Sequence, residues 1–135
     1  MRQLLSLLIS ALVLFFSSAT VASAIKKLKL FNEDKKKYEV VTVIEYQGLT
    51  LSSTCQKNGK MNCDAWKAVQ KKVARQETAN VGVVGNPAAR YCLAQNSLNR
   101  ILKDQQGREY DYCVFPDGSA IDSWSLFNKH FAEKK

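Results

Sequence analysis

The chain has 135 residues, with 20 Lys and Arg against 12 Asp and Glu, a net charge of +8, one His and four Cys. That length allows one domain, or one compact domain with an added element, once an N-terminal leader is set aside. No nucleophile with a base, no metal-spaced cluster and no phosphate-cradling glycine loop occurs, so neither catalytic residues nor a cofactor nor a metal is expected.

Met1 and Arg2 precede an apolar run over residues 4–16, and Ala22-Ser23-Ala24 has the small-x-small pattern of a cleavage site. Residues 1–24 therefore read as a signal peptide, because an apolar core of about thirteen residues falls short of the roughly 20 that span a bilayer. No Cys follows the cleavage site, so a lipid anchor is not indicated. The mature chain, residues 25–135, is expected to be exported, periplasmic or secreted, and soluble.

Residues 25–46 read as a β-hairpin, with Asn32-Glu33-Asp34-Lys35 as the turn between IKKLKLF and KYEVVTVIEY. Along the second run Tyr38, Val40, Thr42, Ile44 and Tyr46 share a face, while Val41 and Val43 make the other face apolar too. That is the pattern of a strand covered on both sides or lying in an interface. Residues 48–61 read as a loop. Asn62 or Asp64 can cap a helix running to about Ala79, with Ala65, Trp66, Val69 and Val73 on one side and Lys67, Lys71, Lys72 and Arg75 exposed. Residues 80–85 form a small-residue linker.

Asn86 can cap a helix whose first residue is Pro87. Ala88, Tyr91, Cys92 and Gln95 share its buried face, and Asn96 and Ser97 end it. Asp104-Gln105-Gln106-Gly107 then separates two strand runs, residues 98–103 and 108–115, with Gly107 supplying a positive φ. On the second strand Cys113 can face back toward Cys92. Pro116-Asp117-Gly118-Ser119 is a turn by composition, and Asp122 or Ser123 can cap a last helix with Trp124, Phe127 and Phe131 on one face.

The fold class expected is thus α+β: a basic N-terminal hairpin plus helix over residues 25–84, then a small disulfide-stapled helix-hairpin-helix unit over residues 85–135. In an exported chain four cysteines imply two disulfides. The fold reading favours Cys92 with Cys113, and Cys55 with Cys63 follows by elimination. A four-cysteine zinc site is disfavoured by the lack of C-x-x-C spacing and by an oxidising compartment.

Residues Asn86-Pro87-Ala88, Tyr91-Cys92, Ile101, Asp104, Gly107, Glu109-Tyr110, Cys113, Pro116-Asp117-Gly118-Ser119 and Trp124 occur in an order that resembles a family of small bacterial exported domains of unknown function carrying a hemolysin label. The resemblance covers roughly the last third of the chain. Two glycines of the family pattern are replaced here by Asn96 and Ser97, and a second cysteine pair by Ile121 and Phe131. The resemblance implies export and membrane toxicity but brings no catalytic residues.

Charge narrows the partners. Residues 25–84 hold 12 Lys and Arg against 6 Asp and Glu, so the basic excess belongs to the N-terminal half. Such a surface suits anionic partners: lipid head groups, lipopolysaccharide, nucleic acid without sequence specificity, or an acidic protein. Lys67, Lys71, Lys72 and Arg75 are the contact residues expected, with Trp66 beside them. His130 reads as a solvated helix-end side chain, and carboxylate pairs such as Asp111 with Asp117, or Glu109 with Asp122, have no acid–base geometry fixed by sequence. The leading functional expectation is a small exported binding or accessory protein. The alternatives are a membrane-active secreted factor and, third, a protease inhibitor presenting the turn at residues 116–119.

Overall fold

The structure, a computed structural model, describes residues 24–73 and 85–132. The expected signal peptide lies outside the described residues except for Ala24. Strands β1 (Ile25–Asn32) and β2 (Lys37–Tyr46) form the hairpin expected, in the register Ile25↔Ile44 to Asn32↔Lys37. Asn32 Oδ1 accepts from the Lys35 N–H at 2.9 Å and fastens the turn.

The chain then departs from its expected course. Gln47 and Gly48 both take positive φ, +52° and +75°, which is the two-residue turn geometry that matches strand twist. They return the chain as β3 (Leu49–Ser52), paired with β2 from Tyr46↔Leu49 to Val43↔Ser52. Residues 48–61 are therefore a strand, a 3-10 turn (Ser53–Cys55) and a two-stranded hairpin, β4 (Gln56–Lys57) and β5 (Lys60–Met61), rather than a loop.

Helix α1 (Asp64–Gln70) follows, then α2 (Pro87–Ala94), β6 (Leu98–Lys103), β7 (Glu109–Val114), β8 (Ala120–Asp122) and α3 (Ser123–Phe131). Asn86 caps α2 through Oδ1, which accepts from the N–H groups of Ala88 and Ala89. Asn96 takes φ +56°, a conformation Asn tolerates better than most residues. Gly107, at φ +79°, closes the β6–β7 loop.

The strands do not sort into an N-terminal hairpin and a separate C-terminal unit. They close into one antiparallel barrel in the order β1-β2-β3-β8-β7-β6, sealed by Lys29↔Lys103 and Leu30↔Leu102 at one seam and by Leu51↔Ile121 at the other. The α+β expectation is overturned: strands make up 42% of the structure and the helices are short. The local signals for α2, the β6–β7 hairpin and α3 were sound. What they could not show is that β6 and β8 find their partners in β1 and β3.

Two apolar clusters hold the barrel. Leu28, Val43, Leu102, Tyr112 and Ala120 fill its interior, and burial pushes the Tyr112 phenol well above its ordinary pKa. A larger cluster lies between the helices and the outer faces of β3, β7 and β8, with Leu51, Val69, Tyr91, Cys92, Cys113, Ile121 and Leu126 at its centre. Cys92 and Cys113 meet there at a Cα separation of 5.4 Å, and Cys55 meets Cys63 at 4.9 Å, both pairs at disulfide distance. On the chain-entropy model the longer closure contributes about 3 kcal/mol and the shorter about 2.5 kcal/mol.

Three helix readings are corrected. α1 ends at Gln70 rather than near Ala79: Lys71 turns extended with its N–H shared between the Lys67 and Ala68 carbonyls, and the Ala68 carbonyl also accepts from His130 Nε2 at 3.1 Å. Its N-cap is Cys63, not Asn62 or Asp64, with Cys63 Sγ accepting from the Trp66 N–H at 3.2 Å. On α3 the buried stripe is Ser123 and Leu126, whereas Trp124 is 43% exposed and meets Phe127 edge-on.

Candidate functional site

The turn at residues 116–119 is built into the fold. Gly118 takes φ +78°, and Asp117 Oδ1 accepts from the Ser119 N–H and hydroxyl. Asp117 Oδ2 reaches across to the N–H of Asp64 at 2.8 Å, and Ser119 Oγ accepts from the N–H of Ala65 at 3.0 Å. The first amides of α1 are thus satisfied by a turn more than fifty residues away. Burial raises the Asp117 pKa, but hydrogen bonds from Ser119 and from the Asp64 amide outweigh it and hold the carboxyl below its usual range.

Beside this turn, α1 and the end of α2 enclose an open cleft of about 520 Å³ lined by Lys67, Lys71, Gln95, Asn96, Phe115 and Pro116 among others. Lys67 Nζ pairs with Asp64 Oδ1 at 2.9 Å, and Lys71 Nζ reaches Gln95 Oε1 at 3.5 Å. Only Lys67 of the four expected contact cations lies on the helix. Lys71 is its C-cap, Lys72 is exposed beyond it, and Arg75 lies outside the described residues. Trp66 is half-buried and packs edge-on against Tyr46.

The groups weighed for catalysis have structural partners. Asp111 accepts from Asn86 at 3.1 Å and from Asn99 at 3.0 Å, Glu109 pairs with Lys103, and Asp122 caps α3 at Ser125. Asp104, buried at the hairpin loop, accepts from the Gln106 and Arg108 amides, the Arg108 guanidinium and the Tyr110 hydroxyl. Burial raises its pKa, yet these bonds prevail and bring it down to about 2. His130 is half-buried rather than solvated: burial and the nearby charges of Lys129 and Lys71 lower its pKa, against the opposing hydrogen bond to Ala68. Among the described residues no three His, Cys, Asp or Glu side chains are grouped to hold a metal ion.

Sequence reasoning missed a surface. The outward row of the β1–β2 hairpin leaves Phe31, Tyr38 and Val40 at 40%, 53% and 64% exposure, flanked by lysines. The signal was the double-sided apolar pattern of β2. Pattern alone does not say which face is covered: Val41 and Val43 went into the barrel, while Tyr38 and Val40 stayed outside.

The architecture is a six-stranded antiparallel barrel stapled at two cysteine pairs, with helices on one side. Residues 83–130 carry a domain that matches the family described as Domain of unknown function (DUF333). The match contains α2, β6, β7, β8 and all but the last residue of α3, and brings no activity with it. No curated protein and no solved structure matches the chain.

Proposed function

We propose that this chain is a small exported, non-enzymatic binding or accessory protein whose partner is anionic. The reading rests on how the charges are spent. The described carboxylates at Glu33, Glu39, Asp64, Asp104, Asp111, Asp117, Asp122 and Glu109 all have partners within the chain. By contrast the side chains of Lys27, Lys29, Lys36, Lys37, Lys57, Lys60 and Lys72 have no hydrogen bond or ion pair among the described residues, so the exposed charge left without a partner in the chain is mostly positive. A surface of that kind attracts anions over about a Debye length. The N-terminal leader pattern supports export, and the two cysteine pairs suit an oxidising compartment.

Retention of the mature chain on a polyanion resin, with elution as salt rises, tests this reading. Failure to bind at low salt overturns it. Replacing Lys67, Lys71, Lys72 and Arg75 with Gln measures the share contributed by these four cations. The second reading, a membrane-active secreted factor, draws on the exposed apolar row of β1 and β2. No described helix is long and apolar enough to cross a membrane, so dye leakage from vesicles decides between the two readings.

A further inference from the structure

In the ring of strands β1 stands across from β8, so the helix-side cluster reaches the outer face of β2 only at Ile44 and Tyr46 and leaves the half of the β1–β2 hairpin nearer its turn bare. On that side the register sets Phe31 beside Tyr38, Lys29 beside Val40 and Lys27 beside Thr42. The two rings stack edge-on at 5.2 Å, and Val40 continues the apolar row. Lys103 of β6 adjoins Lys29, and Ile101, also exposed, lies two residues along from it.

Cations frame the apolar row. Of the acids at the hairpin tip, Glu33 is taken by Arg100 and Glu39 by Lys35, which leaves Asp34 against Lys27 and Lys29 on the face of the row and Lys36 in the turn. An aromatic pair and a β-branched residue ringed by long, unpaired lysines fit one kind of surface: a bilayer interface, where rings sit at head-group depth and ammonium groups reach anionic phosphates. A second copy of the chain is a poor fit, because two such faces would oppose lysine to lysine.

We propose that the outer face of the β1–β2 hairpin docks on an anionic membrane surface. Phe31, Tyr38 and Val40 enter the interface and the surrounding lysines pair with lipid phosphates. The helix side and its cleft then point away from the membrane. This rests on the reading of an anionic partner and narrows it to lipid.

Sedimentation of the full mature chain with vesicles of phosphatidylcholine mixed with phosphatidylglycerol, against pure phosphatidylcholine, provides the test. We expect binding to the anionic vesicles alone. Changing Phe31→Ala and Tyr38→Ala together should weaken it about tenfold while leaving retention on a polyanion resin unchanged. Both side chains are exposed, so the variant should fold, and its thermal transition checks that directly. Vesicle binding that ignores the double change overturns the proposal. So does binding of a single-stranded oligonucleotide that depends equally on the two rings. Retention on the resin without vesicle binding defeats the lipid proposal and leaves the anionic reading standing, whereas loss of both defeats both.

Discussion

Replacing Ser119 with Ala removes one oxygen that joins two elements far apart in the chain. Ser119 is 2% exposed and Ala65 fully buried, so when the hydroxyl goes the Ala65 amide has no water to turn to. A buried donor left without a partner costs about 1–3 kcal/mol, and the lost bond to Asp117 frees the turn as well. Helix α1 has only seven residues, and apart from this bond its start is held by Asp117 at the Asp64 amide and by the Cys63 cap at Trp66. We expect a loss of about 2 kcal/mol, which lowers the melting temperature of a domain this size by roughly 8–16 °C. Thermal unfolding at neutral pH measures the global loss, and amide hydrogen exchange localises it, with protection falling first at Ala65. A Ser119→Ala chain that melts within about 1 °C of the parent, its Ala65 amide still protected, would show that the turn does not hold the helix start.

Three further outcomes are expected. Asp104, whose folded pKa lies near 2, is ionised in the folded state while the unfolded chain takes up its proton first. Its contribution is complete above the ordinary carboxylate range and is lost as pH falls toward 2, so the urea midpoint should drop over that interval less steeply in Asp104→Asn. His130, with its pKa lowered, is favoured neutral in the folded chain. Its contribution is present above about pH 6.5 and fades as pH falls through the folded value, and His130→Gln should flatten that part of a stability profile. Leu126→Ala empties a fully buried site and should cost about 2–5 kcal/mol, whereas Trp124→Ala should cost about 1 kcal/mol or less. Equal losses in denaturant titrations of the two variants would contradict the orientation of α3.

The pieces of the fold legible in the sequence were those with local chemistry. Asn86-Pro87 marks a helix start, Gly107 a hairpin loop and Asp122 a second cap, and each acts on residues within a few positions of itself. β3 and β8 escaped because four and three residues are too few to show a period, and Gln47-Gly48 is a less familiar way to build a two-residue turn than the Asn58-Gly59 pair that joins β4 and β5. At the end of α1 the bond from His130, a donor on another helix, leaves no local trace in the sequence. The Trp124 stripe failed on phase: Ser123, Leu126, Phe127 and His130 also repeat at helical spacing, and the packing of α3 selected them. Of the candidate site, the excess of lysines could be counted in advance. The bare outer row of β1 and β2 could not, because it exists only once the barrel has chosen its inside.

That choice of inside bears on what the family-matched segment is. Residues 83–130 supply β6, β7 and β8, three consecutive staves of a six-stave ring, and β1, β2 and β3 supply the rest. Taken alone, the matched segment would be a trough with both rims unpaired and with Leu102, Tyr112 and Ala120 on its open floor. The N-terminal half of this chain is its covalent lid, delivering Leu28 and Val43 onto that floor and a strand to each rim. Any chain that carries the trough without such a lid must obtain one from elsewhere, whether from another part of its sequence or from a neighbouring molecule.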